Sequence, residues 1–239
     1  MRTTIRLNLN QRAVIFRDGL PERALGPGVH KLWGAPIEKL VFDVDDVFIE
    51  APAAVRAVIP ADWHATVEVG PRQRGVVFRD GQPVNVIKPG VHRMWTLDEG
   101  VRLELVDLDG APPTDERVLN LMGGEVLRTI VGQHQRGLLF VNGRLEQVLG
   151  PGRHVLWNLP DAPTSVVAVD MRRQILAVTG QELMTKDKVT LRLSLAVEWA
   201  PKDPALHQRA TADPKAAVYA MAQLALRDFV AGVTLDELL

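Results

Sequence analysis

Three histidines recur in phase along this 239-residue chain: His30, His92 and His154 stand in the near-identical strings "LGPGVHKLW", "IKPGVHRMW" and "LGPGRHVLW". Imidazoles in threes can hold zinc, and glycine-rich loops can aim backbone N–H groups at phosphate, so both chemistries have to be weighed. The phosphate cradle lacks its parts. A Walker loop needs G-x-x-x-x-G-K-[ST] ahead of a helix, whereas here proline removes one N–H, no Ser or Thr follows and the loop leads into a strand. The zinc set fails on distance. Equivalent side chains of tandem modules lie on the order of 20 Å apart, and zinc needs its nitrogens at about 2 Å. His64, beside Trp63, and His207, in "DPALHQRA", are isolated candidates for a general base. The sequence has no serine elbow, no H-E-x-x-H and no carboxylate pair at a catalytic spacing, so both are read as packing or surface residues. No catalytic, cofactor-binding or metal-ligating residue is assigned, no cofactor is expected, and the chain reads as a non-enzyme.

Composition narrows the partners. Lys plus Arg number 28 against 29 Asp plus Glu, which leaves no basic field for nucleic acid or an anionic membrane. The absence of cysteine excludes disulfides, thiolate metal sites and S-palmitoylation, and fits a reducing compartment. The N-terminal "MRTTIRLNLNQRAVIF" alternates like a strand and has no signal-peptide core. The longest apolar stretch, "KAAVYAMAQLALRDFVAGV", carries Lys215, Arg227 and Asp228, so no membrane span is expected.

The elements that carry the histidines are repeats. "QRAVIFRDGLPERALGPGVHKLW", "QRGVVFRDGQPVNVIKPGVHRMW" and "QRGLLFVNGRLEQVLGPGRHVLW" align without a gap, each beginning 62 residues after the last at Gln11, Gln73 and Gln135. Asp18-Gly19, Asp80-Gly81 and Asn142-Gly143 suit type I′ hairpin turns. Pro27-Gly28, Pro89-Gly90 and Pro151-Gly152 suit type II turns with a third strand beyond them. Val14 and Phe16 face one way and Ile15 the other, as in a strand covered on both faces. Downstream, "LVFDVDD", "LELVDLD" and "VVAVDMR" each put an Asp, Asp43, Asp107 and Asp170, between apolar residues in a further expected strand. The repeated His and the Trp residues, Trp33, Trp95 and Trp157, are expected to anchor each module against its neighbours.

Beyond Trp157 the pattern changes. "VTLRLSLAVEW" alternates as a long half-exposed strand, and "TKDK" before it reads as a hairpin connection. Asp203-Pro204 and Asp213-Pro214 pair an N-cap acid with proline at the first helical position, and Gly232 ends the second helix. Thr234 and Glu237 form a capping box for a last short helix. Val218, Met221, Ala225 and Phe229 are expected to give the long helix its core face.

"VDMRRQILAVTGQELMTKDKVTLRLSLAVEWAPKDP", followed by "YAMAQLALRDFVAGVTLDELL", resembles the SPFH or band 7 domain of the stomatin branch, specifically bacterial slipins. The fold class expected is therefore α+β: tandem antiparallel β modules at 1–66 and 67–128, then an SPFH domain at 129–239 that opens with a third module and ends in helices. The resemblance implies a non-enzymatic scaffold that self-associates into a ring, barrel or cage, with a membrane-associated adaptor of a membrane protease or channel as the alternative. Stomatins carry an N-terminal membrane hairpin and palmitoylated cysteines, which this sequence lacks. The family also continues past "TLDELL" into a coiled coil that promotes assembly, so a shortened form is expected here. Tandem modules leading into a band 7 domain resemble the major vault protein, which points to a soluble cytoplasmic shell rather than a membrane raft organiser. The expected partners are further copies of the chain and, in the alternative, a membrane protease or the inner membrane face.

Overall fold

The computed structural model describes residues 2–34 and 36–239; Met1 and Ala35 lie outside the described residues. The chain divides into two compact units, Met1–Gly123 and Gly124–Leu239.

The first unit holds two copies of one β module. In the first copy β1 (Arg2–Leu7), β2 (Gln11–Arg17), β3 (Leu20–Leu25), β4 (Gly28–Trp33) and β5 (Glu38–Asp43) form two small antiparallel sheets, one of β1 with β4 and one in the order β3-β2-β5. The second copy repeats this with β6 (His64–Val69), β7 (Gln73–Arg79), β8 (Gln82–Ile87), β9 (Gly90–Trp95) and β10 (Val101–Asp107): β6 pairs β9, and β7 lies between β8 and β10. A short helix, α1 (Ala53–Arg56), lies between the copies, and α2 (Glu116–Met122) follows the second and packs on β8.

The local signals set the turns. Asp18 and Gly19 both have positive φ, 52° and 78°, as a type I′ turn requires, and Asp80-Gly81 and Asn142-Gly143 repeat it. Gly28, Gly90 and Gly152 have φ of 123°, 146° and 134°, positive as expected but wider than the roughly 80° of a type II turn. The reason is that each glycine is already the first residue of a strand. That third strand does not join the hairpin ahead of it. It pairs with a strand upstream of the repeated Gln, in register from Arg2↔Trp33 to Leu7↔Gly28 and from His64↔Trp95 to Val69↔Gly90.

The two faces of the central strand serve different cores. Ile15 packs within its own module with Ile5, Leu7, Leu25 and Leu32, while Val14 faces a second cluster with Val44, Ile49, Val55, Ile59 and Trp95. Trp95 belongs to the second module and is 2% exposed, its ring edge-on to Phe42 at 5.9 Å. It fastens one module to the other as expected. Trp33 does not: it is 69% exposed, with the Arg2 guanidinium 5.7 Å from its ring centre.

The second unit opens with the third module, β11 (Val126–Val131), β12 (Gln135–Val141), β13 (Arg144–Leu149), β14 (Gly152–Trp157) and β15 (Thr164–Asp170), paired like the others. The expected junctions at 66/67 and 128/129 fall inside β6 and β11, because the strand that opens each module begins a few residues earlier. A long hairpin follows, β16 (Gln174–Met184) with β17 (Thr190–Trp199), and then α3 (Pro204–Ala210), α4 (Pro214–Gly232) and α5 (Leu235–Leu238). Asp203 caps α3 by accepting from Ala205 and Leu206, and Asp213 caps α4 by accepting from Ala216. Thr234 and Glu237 form the expected capping box of α5, the Glu237 carboxylate accepting from the Thr234 N–H at 2.7 Å. The α+β class with C-terminal helices is what the sequence pattern implied.

Candidate functional site

Each repeated histidine closes its own turn. Nε2 of His30, His92 and His154 lies 2.9 Å from the carbonyl oxygen four residues back, at Gly26, Lys88 and Gly150. A carbonyl only accepts, so Nε2 carries the proton and is committed to clipping the Pro-Gly turn. Each histidine therefore braces its own module, and His92 also lies 5.8 Å from the ring of Phe48 ahead of the second module. The repeated glutamines act alike, a role that the sequence reading missed. Oε1 of Gln11, Gln73 and Gln135 accepts from the N–H three residues earlier, at Asn8, Gly70 and Gly132. Recurrence of the amide at one repeat position was the available signal. Among the described residues no group of three or more His, Asp or Glu is placed to hold a metal ion.

His64 opens β6 opposite Trp95, and its Nδ1 is buried without a partner among the described residues. His207, on α3, stacks on Trp199 at 6.0 Å between ring centres and 26° between planes. This stack lines an apolar groove of about 350 Å³ with Leu206, Pro201, Pro214 and Val218. Asp203, the carboxylate in that groove, is occupied by the cap of α3.

Exposed apolar side chains continue along α4. Its inner side, Tyr219, Gln223, Leu226 and Val230, turns toward the hairpin, where Gln223 Nε2 donates to Gln181 Oε1 at 2.8 Å and Gln181 Nε2 to the Tyr219 hydroxyl at 3.4 Å. The sequence expectation of a core face at Val218, Met221, Ala225 and Phe229 is corrected here: Met221 and Phe229 are 69% and 60% exposed, and Ala225 and Leu224 are exposed with them. The glutamine and tyrosine bonds turn that stripe outward. On the opposite side of this two-layer unit, β16 presents Ile175 and Met184 to solvent. The helix thus exposes an apolar stripe, whereas the outer face of the hairpin carries Ile175 and Met184 at its two ends with Thr179, Glu182, Arg192 and Ser194 exposed between them.

The "TKDK" connection and the last helix hold each other. Thr185 is buried and bridges the hairpin ends to Val189, Lys186 N–H donates to the Val233 carbonyl at 2.9 Å, and Asp187 Oδ1 accepts from Leu235. The Thr185 hydroxyl bond holds the Asp187 carboxyl below the usual carboxylate range. The two most distinctive motifs of this half of the chain are thus one structural latch.

Residues 129–239 match the SPFH domain / Band 7 family. Over 110 residues, 46% of the chain, the protein is 34% identical to an uncharacterized protein of Archaeoglobus fulgidus and 33% identical to a stomatin homolog of Pyrococcus horikoshii. It is 32% identical to an uncharacterized protein of Methanocaldococcus jannaschii over the same length. The match spans 43%, 40% and 54% of those three proteins, about half their length or less. No helix among the described residues is long and apolar enough to cross a membrane.

Proposed function

We propose, taking residues 129–239 as an SPFH domain set behind two copies of its own opening β module, that the protein is a non-enzymatic scaffold whose copies associate side by side in a ring, barrel or cage. The slipin branch and the vault-like plan, with a cytoplasmic setting, belong to this reading. The observation that carries it is the exposed apolar stripe of α4, Met221, Leu224 and Phe229. In this reading the stripe of one copy packs as a further layer on the outer face of a neighbour's hairpin, which exposes Ile175 at one end and Met184 at the other. Two different patches give a head-to-tail contact, which propagates around a closed ring or along an open filament, whereas one self-complementary patch would stop at a dimer.

The test is the mass of the full chain by light scattering and ultracentrifugation. Leu224→Glu and Ile175→Glu each remove one of the two faces, so each variant alone is expected to run as a monomer. Mixed, they retain one intact pair of faces and form a dimer that grows no further. A wild-type chain that stays monomeric at high concentration overturns the proposal. Co-purification with a membrane protease or channel, retained by both variants, would favour the adaptor reading in its place.

A further inference from the structure

The second module departs from the other two at one place in the repeated turn. Where the first and third have Gly26 and Gly150, it has Lys88. A repeat that needs only a turn has no use for that change, since glycine serves both sister turns. Lys88 lines a polar cleft of about 460 Å³ together with Arg56, from α1, and Arg93, from β9. Glu50 is the acidic residue in the lining, so the cleft carries three cations against one anion. None of the three cations forms an ion pair with Glu50 or with any other described acid.

Unpaired lysines and arginines are common on a surface and signify little alone. Arg56 differs. Its Nε is shut off from water and has no acceptor among the described residues, and an unmet buried donor is destabilising. The cleft is walled on one side by the rings of Phe48 and His92, 5.8 Å apart, with His92 held in place by its bond to the Lys88 carbonyl. This fixes the backbone from which Lys88 projects. Val91 and Ile49 complete an apolar part of the lining. An adjoining cleft contains Asp43 and Asp46 and shares Glu50 with this one, and its carboxylates disfavour an anion on that side.

We propose that this cleft binds a phosphomonoester, its dianionic head held by Arg56, Lys88 and Arg93 and its organic part against Phe48 and Val91. Two guanidinium groups present planar forks suited to tetrahedral phosphate oxygens, and an ammonium adds a point charge. The net local charge of two suits a dianion better than a single carboxylate. The cleft is also larger than a phosphate ion alone, which leaves room for an esterified group. The site lies in the modules upstream of the SPFH match and does not depend on the assembly reading.

Calorimetric titration of the full chain with inorganic phosphate, at constant ionic strength and about pH 8 where phosphate is a dianion, tests the proposal. One saturable site per chain is expected. Lys88→Gly restores the residue of the sister turns, so the fold is preserved, and is expected to weaken binding about tenfold, the loss of one charge-assisted contact. Arg56→Gln weakens it likewise, and Glu50→Gln tightens it by removing repulsion. A second arm floats the protein with vesicles of phosphatidylcholine alone or with phosphatidic acid. Recovery with phosphatidic acid that Lys88→Gly abolishes identifies a lipid headgroup as the source, and phosphate binding without flotation identifies a soluble ester. Either supports the site. Absence of uptake in both arms overturns it, as does phosphate binding that Lys88→Gly leaves unchanged or malonate binding as tight as phosphate.

Discussion

At the scale of single residues, the three modules keep one device and vary its partner. Asp43, Asp107 and Asp170 each end a strand and accept from the N–H two residues on, at 3.0, 2.9 and 3.0 Å. In the first module Asn10 Nδ2 donates to Asp43 at 3.1 Å, while in the third the Arg172 guanidinium grips Asp170 at 2.6 Å. The Arg172 side-chain bond, helped by the Arg172 N–H and by the charges of Arg172 and His134, lowers the Asp170 pKa from 3.8 to about 2. A carboxyl whose folded pKa lies below its unfolded one adds stability at pH values above the unfolded pKa and loses it as pH falls through the folded pKa. The Asp170 contribution is therefore complete above about pH 5 and gone near pH 1. Both partners are exposed, so the effect is small and screened by salt. Melting temperature measured against pH should fall in that acid window, and Arg172→Gln should flatten that part of the curve in low salt. Parallel curves for the two proteins would show that the pair adds nothing.

Elements were legible wherever their determinants are local. The Asp-Gly and Pro-Gly turns, the Asp203 and Asp213 caps and the end of α4 at Gly232 follow from residues within a few positions of each other. The orientation of α4 does not. Val218, Tyr219, Met221, Ala222, Leu224, Leu226 and Val230 put apolar side chains on every side of the helix, so a 3.6-residue period selects no face. Two glutamines 42 positions apart make the choice. Gln223→Leu keeps helix propensity and leaves Gln181 Oε1 without its donor in a partly buried place, at a cost of about 1–2 kcal/mol. Hydrogen exchange should then quicken along α4 and at Gln181 while β11 to β15 keep their protection. Unchanged exchange in α4 would mean that apolar packing alone orients it. Strand pairing was illegible for the same reason: β1 meets β4 across a hairpin that leaves both free, and nothing near Pro-Gly in sequence says where its strand will dock.

For the whole molecule, the periodic identity begins at the repeated Gln, but the folding unit begins earlier. The strands ahead of it, "RTTIRL", "HATVEV" and "VLRTIV", share alternation and almost no identity, because only their inward side chains are constrained. Family similarity at residue 129 likewise starts in the middle of β11. Yet β11 pairs with β14 over its whole length, from Val126↔Trp157 to Val131↔Gly152, and Val131 is buried with Leu139 and Leu149 in the core of the third module. A fragment cut at the boundary of the compact unit, residues 124–239, keeps this sheet; one of residues 132–239 leaves β14 without its partner and opens the Leu139 and Leu149 cluster to water. Losing a buried aliphatic side chain from a core typically costs about 2–5 kcal/mol, and the shorter fragment also forfeits a whole ladder of hydrogen bonds. Circular dichroism should show one cooperative melt for residues 124–239 and a broad, low-temperature loss of structure for residues 132–239. If both fragments melt together, the upstream strand is an accessory and the unit begins, as the repeat in the sequence implies, at Gln135.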